Sequence, residues 1–241
     1  MTVTWEECGW QGLASRAGRC RLPGWDCTVG LVVGDGSALM IDAGSSVGEG
    51  ARLRAEAGRL LGGARVTHLA LTHPHFDHVL GAAAFAEAEV FGAVGLGGVL
   101  AEGRDALRAD AVHHGLPEAE AAEAVGLLVH PRHHVIGEWT LDLGGGHQAL
   151  LANVGPGHTG HDLAVLVPGT PEVVFCGDLV EESGEPQAGP DAVPSRWPAA
   201  LDRLLTLGGE DARYVPGHGA VVDAAFVRSQ RDALARRFGV S

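Results

Sequence analysis

Between Thr72 and His78 the chain reads THPHFDH, which places three histidines and an aspartate within seven residues. Imidazoles packed this closely repel one another when protonated, and an unpaired carboxylate among them wastes its solvation, so the natural partner is a cation. That partner is expected to be a metal ion. In an extended segment successive side chains alternate, which puts His73, His75 and Asp77 on one face. Pro74 supports this, because it forbids a helical start there and biases His73 towards extended backbone. His78 opens the following helix and projects differently, so two neighbouring metal sites could share the motif. Three later segments repeat one design, a short strand ending in a Gly-rich turn with one metal-competent side chain: His158 in GPGHTGH, Asp178 in FCGD and His218 in VPGHG. Glycine beside such a residue allows a tight turn and leaves room for metal and substrate.

The elements that must position these residues follow from periodicity and turn signals. CTVGLVVGDGSALMIDAG reads as two strands joined by Gly-Asp-Gly and looks like the edge of a β-layer. VGEGARLRAEAGRLLGG has apolar residues at helical spacing, and ARVTHLALTH is a short strand ending at the histidine motif. VLGAAAFAEAEVFG continues as a small-residue helix and another strand. Residues 92–133 change character to Gly-rich and helical segments around His113 and His114, an insertion or lid. Strands resume with HVIG, WTLDLGGGHQALLANVG, DLAVLVPG and EVVFCGD. SRWPAALDRLLTLGG is a helix, DARYVPGHG a strand running into a loop, and DAAFVRSQRDALARRFG a final helix capped by its aspartate. Residues 1–241 are expected to form one domain.

The composition excludes several functions. The net charge is −13, all 17 basic side chains are arginine, and no run of them forms a stripe, so nucleic acid is a poor substrate and a small molecule a better one. No basic leader precedes an apolar core, and no apolar run approaches the ~18 residues of a membrane span. A cytoplasmic protein without membrane association is expected. Cys8, Cys20, Cys27 and Cys176 lack CxxC spacing and the density of a disulfide scaffold, so reduced structural thiols are expected.

The ordered set HxHxDH, then His158, Asp178 and the Gly-His-Gly loop at His218, resembles the metallo-β-lactamase superfamily over about residues 28–238. The resemblance implies an α+β fold, a four-layer αββα sandwich with a two-metal site at one edge. Carried over by position, it implies His73, His75 and His158 at the first zinc, Asp77, His78 and His218 at the second, and Asp178 bridging. Zinc is the default for imidazole and carboxylate ligands, and iron or manganese suits the same set. Two ions roughly 3.5–4 Å apart can share a hydroxide and clamp a carbonyl or phosphoryl oxygen, which gives hydrolysis without a protein nucleophile. Asp77 has a second possible role, taking the proton of the attacking water.

Within the superfamily, zinc β-lactamases of the commonest type carry cysteine where Asp178 stands and are exported, and ribonuclease members carry basic exosites. Hydroxyacylglutathione hydrolases are similar in THxHxDH, PGHT, the Gly-Asp bridge and the late Gly-His loop. The chain departs from them after Asp178, where no basic group for glutathione stands out. The expectation is a binuclear zinc hydrolase of small esters, thioesters or lactones. The alternative is an oxidoreductase similar to persulfide dioxygenases, which hold one iron with two histidines and an aspartate and do not need the second set. Of the other candidates, His161 could touch substrate or serve as a loop histidine, His68 reads as structural, and Tyr214 as a core residue with a bonded hydroxyl. His113, His114, His130, His133 and His134 lie in or beside the lid, where they read as exposed loop positions with substrate contact as the alternative.

Overall fold

Strands β3 (Thr28–Val33) and β4 (Ala38–Ile41) are buried along their whole length. The reason is visible in the computed structural model, which describes residues 3–240: the sheet that contains them is covered on both faces. Val32, Leu39 and Ile41 point to an inner core between two sheets, while Leu31, Val33 and Met40 point to an outer core beneath helices. The period of two thus feeds two different cores from one strand pair.

The first sheet runs in chain order from β1 (Gln11–Ala14) and β2 (Ala17–Arg21) through β3 and β4 to β5 (His68–Ala70), β6 (Glu89–Ala93) and β7 (His133–Val135). It is antiparallel as far as β4 and parallel beyond it. The second sheet comprises β8 (Glu138–Asp142), β9 (Gln148–Asn153), β10 (Leu163–Val167), β11 (Val173–Glu181) and β12 (Arg213–His218), in the order β12-β11-β10-β9-β8. Only β11 and β12 are parallel in it. Phe91, Leu151, Val165, Phe175 and Val215 close the core between the sheets.

Helices α1 (Val47–Leu60), α2 (Phe76–Val79), α3 (Leu96–Glu102), α4 (Arg104–His113) and α5 (Glu118–Gly126) belong to the first sheet's side, and the last three lie between β6 and β7. Helices α6 (Trp197–Gly208) and α7 (Ala224–Phe238) cover the second sheet. The result is the four-layer αββα arrangement. Ser46 accepts from the Glu49 amide to start α1, and Asp223 accepts from Phe226 to start α7.

Two expectations need correction. The β3–β4 pair is not an edge, because the β1–β2 hairpin pairs outside β3. That hairpin has no apolar alternation to announce it: Gly12 and Gly18 lie where core side chains would stand, and the Trp5 ring fills the space over them. The small-residue helix after the histidine motif is broken into the single turn α2 and a 3-10 turn, Ala82–Phe85. Its Gly81 packs against Ala43 and Gly50 so closely that no Cβ fits. The four cysteines are free thiols.

Candidate metal centre

Where β5 ends, the backbone carbonyl of Thr72 accepts from Leu163 of β10, which joins the two sheets at one edge. His73 and His75 follow on the loop, Asp77 and His78 on α2, His158 between β9 and β10, Asp178 on β11 and His218 at the end of β12. The structure brings all seven together. Asp178 is at the middle: one carboxylate oxygen, Oδ2, lies 3.5 Å from His73 Nε2, 3.5 Å from His158 Nε2 and 3.3 Å from His218 Nε2. Its Oδ1 lies 3.1 Å from His78 Nε2. Two groups therefore share Asp178, one with His73, His75 and His158 and the other with His78 and His218.

Asp77 departs from the expected alternation. Helix α2 starts at Phe76, so Asp77 is rotated away from His73 and His75, and its Oδ2 lies 3.3 Å from His218 Nε2 and 3.7 Å from His78 Nε2. Glycine makes the centre possible at two points. Gly177 has a left-handed φ of 54° at an irregularity of the β11–β12 pairing, and a Cβ at Gly217 would collide with Asp178 Oδ1.

Each imidazole has one ring nitrogen committed to an acceptor outside the cluster. His78 Nδ1 donates to Asp42 at 2.9 Å, His158 Nδ1 to the Gln187 carbonyl at 3.1 Å, and His218 Nδ1 to the Trp25 carbonyl at 2.7 Å. His75 uses the opposite nitrogen, Nε2, towards Asp191 at 3.1 Å. His73 Nδ1 lies 2.9 Å from Thr72 Oγ1, whose own proton goes to Asp42, so the hydroxyl accepts from the ring. Those contacts define the tautomers: in the neutral rings the inward nitrogen carries a lone pair in all five.

With the rings neutral, five lone pairs and two carboxylates face one space, an arrangement that protons or metal ions must balance. His75 Nδ1 and His158 Nε2 stand 3.0 Å apart with no proton to share when both are neutral. Among the described residues, His73 Nε2 and Asp178 Oδ1 are buried atoms without a hydrogen-bond partner. Native proteins seldom leave such atoms unpaired, and metal ions of the kind that bind imidazole and carboxylate satisfy them. The donor set fits a metal cofactor.

Without metal, the same charges shift the titrations. Burial opposes protonation of His218, but Asp178 and Asp77 outweigh it and push its pKa up to about 12. Burial, reinforced by His78, takes His73 down to about 4. Burial works against ionisation of Asp77, yet His78 and His218 hold it at about 2. His218 is thus protonated at neutral pH in the metal-free protein, and a metal must displace that proton. Zinc titrated into chelator-treated protein is expected to release about one proton or more per chain, with affinity rising roughly tenfold per pH unit for each. Calorimetry in buffers of differing ionisation enthalpy reads this directly, and zero release would mean that His218 is neutral beforehand.

Sequence reasoning missed the residues that hold the imidazoles. Asp42 is 2% exposed, has φ of 60°, and also accepts from the Thr72 amide at 2.8 Å. Its one signal was an aspartate ending the wholly apolar run ALMI before Ala43 and Gly44. Asp191 and Trp25 gave none. Cys27 touches the centre too: its thiol donates to the Asp77 carbonyl at 3.2 Å and packs 3.7 Å from His78 Nδ1, and burial pushes its pKa up to about 12. His161 turns away, its Nδ1 bonded to the Val94 carbonyl at 2.8 Å, and Tyr214 is buried with its hydroxyl on the Gly209 carbonyl.

A cavity of about 950 Å³ opens beside the centre, bounded by His75, Asp77, His158, Asp178 and His218. The opposite wall is α3 and α4, so the 92–133 segment does face the site. Trp25 ties the two sides: its carbonyl holds His218, its indole donates to the His114 carbonyl at 3.1 Å, and its ring meets Phe76 edge-on.

The fold agrees with comparisons to known proteins. Similar solved structures include a metallo-β-lactamase from Pontibacter korlensis, 20% identical with a TM-score of 0.71 over 93% of this chain and 97% of that one. Another is the metallo-β-lactamase FIM-1 from Pseudomonas aeruginosa in its mono-zinc form, 18% identical with a TM-score of 0.69 over 100% and 98%. At such identities these likenesses concern the fold. No curated protein sequence matches the chain significantly. The sequence profile of the metallo-β-lactamase superfamily matches residues 22–218, a span that contains all seven clustered side chains, and the chain therefore belongs to the metallo-β-lactamase superfamily.

Proposed function

We propose that this protein is a binuclear metal-dependent hydrolase of small-molecule esters, thioesters or lactones, with zinc as its usual metal. The observation that carries the reading is the pair of ligand groups sharing Asp178, with every imidazole's outward nitrogen already committed. In this reading His73, His75 and His158 would hold one ion and Asp77, His78 and His218 the other, with Asp178 available to both. Two such ions would lower the pKa of bound water and stabilise charge developing on a carbonyl oxygen. The chain's own residues do the rest. Asp42, Asp191 and the carbonyls of Trp25 and Gln187 keep the rings oriented, so little reorganisation is needed when substrate arrives. Asp77, bordering the cavity, takes the proton of the attacking water at its carboxylate. Helices α3 and α4 screen the reacting groups from bulk water.

The first test is elemental analysis of the purified protein together with a screen of activated esters, thioesters and lactones. About two zinc ions per chain with turnover supports the proposal, whereas one iron with little zinc replaces it with the dioxygenase chemistry. Metal binding also stabilises the fold by mass action. Chelator treatment is expected to lower Tm by roughly 5–10 °C, the shift for a protein of this size losing a ligand present at about 100 times its Kd. An unchanged Tm with metal demonstrably removed would show that the centre is not coupled to folding.

A further inference from the structure

Helix α4 sorts its side chains by charge. From the N-cap Gly103, Ala106, Leu107 and Asp110 recur at three- and four-residue steps along the cavity, so one half of the wall is hydrocarbon; at the far end, where His113 and His114 also line the cavity, the Asp110 carboxylate lies 3.3 Å from His114 Nδ1. Its two arginines are engaged elsewhere: Arg108 lies 3.7 Å from Glu118 on α5, and Arg104 meets His130 at 3.5 Å. Leu100 of α3 extends the apolar wall. Glu181 and Asp191 add two more acids to the lining, and no arginine lines the cavity among the described residues. No guanidinium or ammonium is therefore aimed into the pocket to pair with an anionic substrate, and the His114 imidazole is already paired with Asp110.

Under the binuclear reading, on which this inference rests, Asp77 and Asp178 neutralise half the charge of two divalent ions. Asp110 and Asp191 then offset the remainder, and a chain of net charge −13 repels approaching anions. We infer that the substrate is an uncharged acyl compound whose hydrocarbon chain seats against Ala106 and Leu107 of α4, and that acyl compounds ending in a carboxylate are rejected. Leu107 and Asp110 are the specificity-determining positions: the first receives the chain, and the second faces its distal end.

A matched pair of non-hydrolysable ketones tests this on the metal-loaded protein. Heptan-2-one and 6-oxoheptanoate differ only in a terminal methyl or carboxylate, and calorimetry or ligand-observed NMR gives both affinities without turnover. The neutral ketone is expected to bind about tenfold or more tightly, with the gap narrowing as salt is raised. Leu107→Arg is expected to close or reverse the gap by strengthening 6-oxoheptanoate binding. Equal or tighter binding of 6-oxoheptanoate to the wild type, a gap unmoved by Leu107→Arg, or no binding of either ketone overturns the inference. Hydrolysis of 4-nitrophenyl hexanoate is measured beside it. Preference for the neutral ketone without any ester hydrolysis would leave the charge selection standing and remove the hydrolase reading instead.

Discussion

Replacing Asp178 by alanine is expected to leave a folded protein that holds less than one metal ion per chain and, under the proposed hydrolase activity, turns over an activated ester roughly 1,000-fold less efficiently, a loss of several kcal/mol of transition-state stabilisation. Asp178 lies within 3.5 Å of the inward nitrogens of His73, His158, His218 and His78. It is the residue common to both ligand groups. Without it, three buried imidazoles and His218 face one another with only Asp77 to balance any cation between them. Asp178→Asn separates charge from shape, because the amide keeps the volume beside Gly217 but presents an N–H where a lone pair stood. It is expected to lose metal nearly as completely as alanine does. Elemental analysis and kcat/KM, with circular dichroism to establish folding, decide the matter; full metal content and turnover in either variant would remove Asp178 from the centre.

The second large effect is expected at Asp42, which is buried and does not border the cavity. Its carboxylate accepts from the Thr72 amide, the Thr72 hydroxyl and His78 Nδ1, so one side chain orients His78 directly and His73 through the threonine. Asp42→Ala is expected to weaken metal binding by about 10–100-fold, the usual consequence of removing an acceptor behind a ligating histidine. It also leaves buried donors unpaired, at about 1–3 kcal/mol each. Asp42 sits at φ of 60°, which costs a non-glycine residue roughly 1–2 kcal/mol. Asp42→Gly removes the same acceptor while relieving that strain. The glycine variant is therefore expected to lose as much metal affinity as alanine but to be about 1 kcal/mol more stable in urea melts. Equal stability would show that the left-handed backbone at this position is not strained.

The seven clustered side chains were legible because each belongs to a short segment with its own punctuation. Pro74 marks the extended backbone at His73, and glycines flank His158, Asp178 and His218. The strands leading to them were legible too, since β4, β10 and β11 are apolar runs bounded by Gly, Pro or Asp. The hairpin β1–β2 was not, because its core face is filled by Trp5 and not by its own side chains. The partners of His78, His75 and His218 were equally hidden. Asp42 is 36 residues from His78, Asp191 is 116 from His75, and Trp25 is 193 from His218.

Chain order alone therefore settled which kinds of ligand meet and on what turns they stand, because propensity and turn chemistry act within a few residues. Three things were decided only by folding. Helix α2 starts at Phe76, one residue before Asp77, and that carries Asp77 to His218 and away from the His73 face. His75 faces inward through Nδ1 while the other four use Nε2. The cavity is lined by carboxylates and hydrocarbon because α4 packs with its arginines turned elsewhere. A lone pair's direction is determined by the acceptor on the opposite side of the ring, and a cavity's charge by which face of a helix meets it. Both depend on contacts between segments that only the packed chain brings together.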